Sequence, residues 1–500
     1  MATTVRLDPA DNVVTAIRPL EAGVAVEETK TAGLIPRGHK IATQAIGMGD
    51  KVIKYNQVIG YATRDIAAGE HVHVDECEFR ATDVEYTFGT DVRPVTMVPE
   101  DTRDTFMGYP RRDGRVGTRN YIALLSSVNC SATACKHIAD AFGPEELAAY
   151  PNVDGVVAFT HGTGCGNYGE GMKALQNVMW GYARHPNVGG VLMVGLGCEG
   201  NQIEWLMEAF GLEVGPTFQW MNIQNVAGLR RTIEAGVKKI RRMLPIVNEI
   251  QREECSASEL TVALQCGGSD AWSGITANPA VGYASDKLVG QGGTTVLGET
   301  PEIYGAEHLL AARANEEQGK KLLGHVQWWE DYTRRNYATL NNNPSPGNKA
   351  GGLTTILEKS LGATAKGGTS PLTAVWDYGE QVTTRGFTFM NSPGYDPASV
   401  TGQVAGGSNL VVFTTGRGSA FGCKPAPSIK VATNTELATK MPEDMDINAG
   451  KIITDGKTVE EVGEEIYRYW LAVASGQKSF SEAQGLGDLE FVPWQIGATL

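Results

Sequence analysis

The sequence predicts an α/β chain that begins with a small all-β domain and continues into parallel-sheet domains. Three observations support this fold class. Short alternating apolar runs separated by Gly or Pro turns fill the first 95 residues, without helical periodicity. From about residue 111, short continuous apolar runs alternate with amphipathic helical patterns, as in βαβ units. The chain also contains 61 glycines in 500 residues, which suits many tight turns between strands and helices.

The boundaries of these patterns predict four segments. Residues 1–95 form the small β domain, 96–110 a linker, 111–255 an α/β domain, and 256–500 a C-terminal α/β domain. In the β domain, His71 and His73 are two residues apart in a strand and therefore share one face, while His39 lies in a Gly-His-Lys turn. Lone histidines are usually structural, so a site role for them is the less common outcome.

Charge and composition limit the function. The 43 basic and 57 acidic residues give a net charge of −14, which argues against nucleic-acid binding. The sequence from Met1 to Arg6 lacks a leader pattern, and no window approaches about 18 apolar residues. We therefore expect no membrane partner and a cytoplasmic location. Eight cysteines in such a chain are expected to be reduced thiols or metal ligands, not disulfides.

Three consecutive strand–turn–helix units place a cysteine just after the strand. Cys130, Cys165 and Cys198 are spaced by about the length of one βαβ unit. Because parallel strands share a carboxyl edge, the three thiols are expected to lie together there. Helix N-termini favour thiolates, and thiolates select iron, Fe–S clusters or zinc. Three ligands could leave an open metal position for substrate. The alternative is that each cysteine is simply a small apolar side chain.

The turn around Cys165 offers a competing hypothesis. Gly164, Gly166 and Gly169 form a G-x-G-x-x-G pattern between a strand and a helix, which is the context of a dinucleotide-binding fingerprint. The fingerprint also requires an acidic residue at the end of the next strand, where this chain has Gly195-Leu-Gly-Cys198. An NAD-dependent oxidoreductase is therefore kept as an alternative function.

The C-terminal half supplies further candidate side chains at predicted strand ends. A fourth strand ends at Cys266, which could be another thiolate or line the substrate site. Glu299 and Glu302 are close carboxylates that could bind a cation or exchange protons, although such groups are often only solvated. The loop of Asn348 and Lys349 and the later loop of Arg417 and Lys424 suit binding of a carboxylate, with exposed polar turns as the alternative.

These motifs together resemble the altronate and galactarate dehydratases, with their sulfolactate sulfo-lyase relatives. The matching stretches are Ile35–Lys40 with His71–His73, Asp113–Asn120, Gly195–Glu199, Cys266–Asp270, Asn343–Gly352 and Thr414–Gly418. The resemblance implies an N-terminal SAF (β-clip) domain, a long linker, a middle region that can form a homodimer, and a C-terminal Rossmann-like parallel sheet. It also implies iron-dependent removal of water from a sugar acid to give a 2-keto-3-deoxy acid. The sulfo-lyase branch lacks a cysteine at the position of Cys198, which favours the dehydratases.

The dehydration hypothesis assigns a role to each candidate. Cys130, Cys165 and Cys198 would bind iron, either as mononuclear Fe2+ or as an Fe–S cluster with one open iron. The candidate bases are His161, Lys349 and His39. The residues proposed to bind the small-molecule sugar acid are Arg417, Lys424, Lys349, Asn348, Ser269 and Asp270. The alternatives are the NAD-dependent enzyme, a sulfolactate-type lyase, and a sugar-acid sensor without catalytic activity.

Overall fold

The computed structural model describes residues 3–81 and 84–498. Across these residues, a small all-β unit is followed by two parallel sheets with helices packed on them, which confirms the predicted fold class. None of the helices in the described ranges is long and apolar enough to cross a membrane.

The N-terminal unit consists of short antiparallel strands. They are β1 (Thr4–Val5), β2 (Val13–Ala16), β3 (Ala25–Val26), β4 (Thr29–Lys30), β5 (Lys40–Ala42), β6 (Lys51–Lys54), β7 (Gln57–Ala62), β8 (His71–Val72) and β9 (Cys77–Glu78). One sheet has the order β1-β2-β5-β8, a second has the order β6-β7-β9, and β3 pairs with β4. Val13, Val52 and Val72 belong to the core between them. The pairing of β5 with β8 places Ile41 opposite His71. The turn of His39, which precedes β5, therefore lies beside β8.

The middle unit is built on a parallel sheet. Its strands are β10 (Thr105–Pro110), β11 (Val116–Gly117), β12 (Tyr121–Ser126), β13 (Gly155–Phe159), β14 (Val188–Gly195), β15 (Phe218–Asn222) and β16 (Glu253–Ser256). Its helices are α1 (Asn129–Ala139), α2 (Pro144–Leu147), α3 (Gly169–Ala183), α4 (Ile203–Phe210), α5 (Ile223–Val226) and α6 (Leu229–Asn248). The parallel sheet has the order β13-β12-β14-β15, and β11-β10-β16 form a separate antiparallel sheet. Side chains of β12 alternate between two cores, since Ile122 belongs to one and Ala123 to the other.

The C-terminal unit contains a larger parallel sheet. Its strands are β17 (Thr261–Cys266), β18 (Thr294–Leu297), β19 (Leu372–Trp376), β20 (Gly386–Met390), β21 (Leu410–Thr415), β22 (Ser428–Ala432) and β23 (Ile447–Asn448). Its helices are α7 (Ala277–Gly290), α8 (Glu307–Ala311), α9 (Glu316–Arg335), α10 (Pro346–Ala350), α11 (Ile356–Thr364), α12 (Asp396–Ala405), α13 (Thr435–Lys440), α14 (Lys451–Thr454), α15 (Val459–Ala474) and α16 (Phe480–Ala483). Short 3-10 turns occupy Glu100–Thr102, Ala257–Glu259, Thr300–Glu302, Leu340–Asn342 and Ala365–Gly367.

The strand order of this larger sheet, β19-β20-β18-β17-β21-β22-β23, has a consequence for function. All of its pairings are parallel. The chain runs from β17 to one side through β18 and later returns to the other side through β21, so the strand order reverses beside β17. Open α/β sheets bind ligands outside the carboxyl ends of the strands at such a point. Cys266 ends β17 at this position.

Buried charges attach the N-terminal unit to the larger sheet unit. Lys40 and Lys54 each place Nζ 2.8 Å from a carboxylate oxygen of Glu358, and all three side chains are buried. Lys40 Nζ also donates to Gly352 O at 2.7 Å. Because a buried charge without a partner is costly, these contacts fix the β unit against α11 and the loop before it.

The structure corrects two details of the predicted elements. The amphipathic pattern of Arg230–Glu253 predicts one long helix, but α6 ends at Asn248, and Glu253 instead begins β16, which pairs with β10. The strand ending at Cys266 belongs to the C-terminal sheet, so this thiol is not a fourth member of the cysteine edge. Apolar residues at Val459, Val462, Ile466 and Trp470 predict a closing amphipathic helix over Val459–Ala474, and α15 has those bounds.

Candidate functional site

Three cysteine-bearing turns lie side by side at the carboxyl edge of the middle sheet. Cys130 is in the first turn of α1, while Cys165 and Cys198 follow β13 and β14. The hydrogen bonds that join these turns run from Asn129 N to Thr163 O (2.9 Å), from Asn201 N to Gly164 O (3.1 Å), and from Asn201 Nδ2 to Ser127 O (3.0 Å). The three turns therefore form one connected surface, as parallel strands ending at a common edge require.

The spacing of these thiols distinguishes between kinds of metal centre. All three are exposed, and within the described residues their sulfur atoms do not form a group in which every pair lies within 4.8 Å. Three thiolates on one metal ion would lie about 3.8 Å apart, since each metal–sulfur bond is about 2.3 Å. A wider spacing suits an Fe–S cluster, in which different irons take different cysteines. Ligation of a metal by Cys130, Cys165 and Cys198 stays a prediction.

His161 lies at the same edge, but both of its ring nitrogens have protein partners. Nε2 lies 2.8 Å from Ser126 O, and Nδ1 accepts from Thr163 N at 3.3 Å. Burial lowers the pKa of His161 to about 4. These contacts support the cysteine turns. They also leave neither nitrogen free to take a proton from substrate, which argues against His161 as the base.

The glycine pattern around Cys165 has a packing explanation. Gly164 has a φ of +104°, and a Cβ at this position would lie 2.3 Å from Ser127 O. The loop therefore uses glycine to pass directly over the end of β12. This requirement accounts for Gly164 without a bound dinucleotide.

A second group of ionisable side chains is buried at the strand-order reversal of the larger sheet. Sγ of Cys266 lies 3.7 Å from Glu299 Oε2, 3.6 Å from Glu302 Oε2 and 2.7 Å from Lys366 Nζ. Lys359 Nζ lies 2.7 Å from Glu302 Oε1. We call these five residues the Cys266 cluster. Glu299 has a φ of +65°, a conformation that is costly for a buried non-glycine residue and is concentrated at functional sites.

Burial and charge divide the protons of the Cys266 cluster. Burial, reinforced by Glu302, raises the pKa of Glu299 to about 8. Burial acts in the same direction on Glu302, but Lys359 outweighs it, so the pKa of Glu302 is lowered. Burial also raises the pKa of Cys266 to about 12, in spite of Lys366. At neutral pH the cluster therefore holds one ionised and one protonated carboxyl group, together with a thiol.

The Cys266 cluster forms part of the wall of a cavity of about 570 Å³. Glu302, Lys359 and Asp396 reach this wall, and Asn343 and Asn348 line it as well. Asp396 begins α12 just beyond the end of β20. Burial, reinforced by Glu302, raises the pKa of Asp396 to about 7. A carboxyl group that titrates near neutrality and faces a cavity is suited to general acid–base catalysis.

A smaller, more cationic cavity lies on the other side of the Gly267–Asp270 turn. It measures about 190 Å³, and its lining includes Arg37, Arg417 and Lys440. Arg417 lies on the loop that follows β21, where its Cβ is 3.4 Å from the position that a Cβ on Gly268 would take. Gly268 lines the larger cavity, so the base of the Arg417 side chain packs behind that wall, while Arg417 itself lines the smaller cavity.

The structure gives Ser269, Asp270 and Asn348 structural contacts around the turn. Ser269 O accepts from Asn348 Nδ2 at 2.7 Å. The Asp270 carboxylate accepts hydrogen bonds from Trp272 N, Ser273 N, Ser273 Oγ, Thr433 Oγ1 and Asn434 Nδ2. These residues therefore hold the wall between the two cavities, and Asn348 and Asp270 each face one of them.

The two predicted lysines lie in different surroundings. Lys349 lies on α10 and is half-buried. Its neighbours in the chain, Asn348 and Ala350, line the larger and the smaller cavity respectively. Lys424 pairs with Asp488 at 2.5 Å on a separate loop. Because its ammonium group already has an acidic partner, this pairing argues against binding of the substrate carboxylate by Lys424.

Three histidines of the N-terminal unit form a further compact group. Nδ1 of His39 lies 2.9 Å from Nε2 of His71, and the rings of His39 and His73 are 4.4 Å apart between centroids. Burial lowers the pKa of His39 to about 4 and that of His73 to about 3, and it also lowers the pKa of His71. The three imidazoles are therefore neutral at pH 7. His39 also contacts the backbone of Ala350, which lines the smaller cavity.

Sequence reasoning missed three members of the larger site, namely Asp396, Lys366 and Lys359, the last of which lies within α11. Asp396 follows a strand and precedes Pro397 at a helix start, so its place at the carboxyl edge could have been recognised from the pattern. Lys366 lies in an Ala-Lys-Gly turn with no distinguishing signal. Its position depends on how the end of α11 packs against β17, which only the tertiary structure determines.

The fold and site together define an α/β enzyme with acid–base groups at the strand-order reversal of a parallel sheet. Comparisons with known proteins identify its family. Residues 2–80 match the altronate/galactarate dehydratase SAF domain, residues 108–248 the D-galactarate dehydratase/altronate hydrolase second domain, and residues 257–499 the D-galactarate/altronate dehydratase C-terminal domain.

Full-length relatives agree with the domain matches. The chain is 38% identical to altronate dehydratase of Bacillus subtilis over the whole of both chains. It is 39% identical to galactarate dehydratase (L-threo-forming) of Escherichia coli, over 90% of this chain and 88% of that one. It is 33% identical to the (2R)-sulfolactate sulfo-lyase β subunit of Chromohalobacter salexigens, over 78% and 96% of the two chains. The chain belongs to the altronate/galactarate dehydratase family and is a sugar-acid dehydratase, a hydro-lyase. This assignment replaces the oxidoreductase and sensor alternatives.

Proposed function

We propose that the chain dehydrates an altronate- or galactarate-type acid to a 2-keto-3-deoxy acid in the larger cavity beside the Cys266 cluster. The observation that carries this proposal is the placement of Asp396, Glu302 and Lys359 on one cavity wall at the strand-order reversal. Relatives named altronate dehydratase and galactarate dehydratase support the substrate class. The cavity volume of about 570 Å³ lies within the range of small-molecule sites.

The proposed reaction uses the groups according to their protonation. Asp396 takes the proton from C2, which is acidified by the neighbouring carboxylate when cations neutralise it. Lys359 and Arg417 supply those cations. The hydroxyl group leaves C3 as water with a proton from the Glu299–Glu302 pair, which holds one proton at neutral pH. The resulting enol then rearranges to the 2-keto product.

Iron has two proposed ligand sets, which correspond to its two chemical forms. Cys130, Cys165 and Cys198 suit a cluster. Cys266, Glu299 and Glu302 have ligand atoms that all lie within 4.8 Å of one another, and this mixture of sulfur and oxygen donors suits a mononuclear Fe2+ better than Mg2+ or Ca2+. The centre at Cys266, Glu299 and Glu302 would lie beside the larger cavity, where it would supply a Lewis acid for the departing hydroxyl group in place of the proton from the Glu299–Glu302 pair.

Replacing the proposed base tests the site. Asp396→Asn is nearly isosteric and cannot accept a proton, so kcat/KM for 2-keto acid formation should fall by roughly 100- to 10,000-fold. Asp455→Asn changes an exposed carboxylate of the same unit and serves as the matched control. Both variants should be assayed under reducing, iron-supplied conditions against altronate and galactarate. Near-wild-type activity of Asp396→Asn would remove Asp396 from the mechanism.

A further inference from the structure

The three histidines of the N-terminal unit have the arrangement of metal ligands. One ring nitrogen from each of His39, His71 and His73 lies within 4.8 Å of the other two. His71 begins β8, His73 directly follows the end of this strand, and His39 enters from the turn before β5, which pairs with β8. The triad thus depends on strand register, because a shift of one residue would turn the side chains of β8 to the opposite face.

Hydrogen bonding within the protein leaves this triad incomplete. His39 and His71 contact each other through one nitrogen each. Nδ1 of His73 is buried and has no hydrogen-bond partner among the described residues. A buried polar atom without a partner is destabilising, and a metal ion would provide one. The neighbouring Lys40 is paired at 2.8 Å with Glu358, which it shares with Lys54, so its repulsion of a cation is only partly offset.

The chemistry of the donors defines the class of metal. Neutral imidazole nitrogens bind first-row transition ions such as Zn2+, Fe2+ and Co2+, whereas Mg2+ and Ca2+ prefer oxygen. Three protein ligands leave a position for water or for an oxygen of another ligand. The backbone contact of His39 with Ala350 corresponds to the second-shell partner that orients a metal-bound histidine.

We propose that His39, His71 and His73 bind a divalent transition-metal ion in the N-terminal unit, separately from either proposed iron centre. The site lies where this unit meets the larger sheet unit, next to the cavity lined by Arg37, Ala350 and Arg417. The open metal position and these arginines would together take an anionic oxygen ligand such as a carboxylate. This proposal does not depend on the proposed function.

Cobalt titration of the full chain tests the histidine site. After chelator treatment, Co2+ should bind at the triad with visible d–d absorption that lacks intense sulfur-to-cobalt charge transfer. The double variant His71→Ala/His73→Ala should lose one equivalent of Co2+, or bind it at least about a hundredfold more weakly, which is the upper end of the loss from a second-shell change alone. His137→Ala, at an exposed histidine on α1, is the matched control.

Two further variants keep the result interpretable. His71→Gln retains a polar side chain and is the milder substitution, so it replaces the double variant if that variant fails to fold. Because it also removes one imidazole ligand, it should lose the metal as well. Cys266→Ser should keep the histidine-type spectrum, because it alters only the thiol-containing group. Retention of the same equivalent of Co2+ by a folded His71→Ala/His73→Ala protein would overturn the proposal, and failure of the dehydratase assay would not affect it.

Discussion

At the scale of the residue, the site depends on carboxyl groups whose surroundings separate their pKa values. Burial raises the pKa of Asp396 to about 7 and that of Glu299 to about 8, and the charge of Glu302 acts in the same direction on both. The pKa of Glu302 is lowered, because the attraction of Lys359 for the carboxylate outweighs the opposite effect of burial. One fold thereby provides a base and an acid close to physiological pH, which is how opposed environments usually assign these roles.

The pH dependence of the reaction should show the titration of Asp396. The base must be deprotonated and the Glu299–Glu302 pair must keep its proton, so kcat/KM should rise as pH increases through about 7 and fall again above about 8. Well below that pH, the slope should be about tenfold per pH unit. Initial rates from pH 5.5 to 9 at low substrate would measure this profile. Constant kcat/KM between pH 5.5 and 7 would contradict the role of Asp396.

At the scale of the element, two loops carry strong steric and electrostatic requirements. The turn of Gly164 crosses the end of β12, and the loop before α11 receives Lys40 from the N-terminal unit. The sequence showed a glycine pattern in the first loop and a Lys- and Gly-rich motif near the second. It could not show their partners, because Ser127 O and Lys40 reach these loops only through tertiary contact.

Adding a methyl group at Gly164 should disrupt the cysteine turns. In Gly164→Ala the new Cβ would meet Ser127 O, and the φ of +104° disfavours any L side chain. We expect a loss of about 1–3 kcal/mol in the free energy of unfolding, together with loss of iron if the cysteines bind it. Gly162→Ala is the control, since a Cβ there meets nothing within 4 Å. Chemical denaturation would measure both variants, and equal stability would contradict the packing role of Gly164.

Removing the charge of Glu358 should loosen the N-terminal unit. Glu358→Gln leaves Lys40 and Lys54 buried with a neutral partner, so the free energy of unfolding should fall by about 3–5 kcal/mol. Glu436→Gln removes the largely exposed partner of Arg37 across the same boundary and should have little effect. Thermal and urea unfolding would compare the two variants.

The pH dependence of stability provides a second check on Glu358. Its pKa is lowered in the folded chain because Lys40 and Lys54 outweigh the opposite effect of burial. The ion pairs therefore stabilise the fold fully above the unfolded value of about 4.3, and this contribution declines as pH falls below it. Glu358→Gln should flatten that part of the stability curve. Equal acid sensitivity of wild type and variant would contradict the contribution of this triad.

At the scale of the whole molecule, local patterns predicted much of the architecture. Short apolar runs and helical periodicity indicated the two parallel-sheet units, and the bounds of α15 were predicted from its apolar face. The pairing of residues that are far apart along the chain was not visible in the sequence. Lys366 with Cys266, and Lys40 with Glu358, are separated by many residues and meet only in the packed fold. The homodimer through the middle unit stays a prediction.

The form and location of iron should be decided together. If iron is a cluster at the middle sheet, Cys130→Ser, Cys165→Ser and Cys198→Ser should lose both iron and acid-labile sulfide. If iron is mononuclear at the larger sheet, Cys266→Ser should lose iron, and sulfide should be absent in every variant. Iron and sulfide analysis of anaerobically purified protein would measure this. A fully active wild type without iron would contradict both ligand sets.

The most direct test of the proposed active site is a crystal structure of the Asp396→Asn variant soaked with altronate or galactarate. We predict that the sugar acid lies in the larger cavity, with C2 facing position 396 and its carboxylate near Lys359 or Arg417. A ligand bound at the cysteine turns or against the three histidines, with the larger cavity empty, would contradict the account.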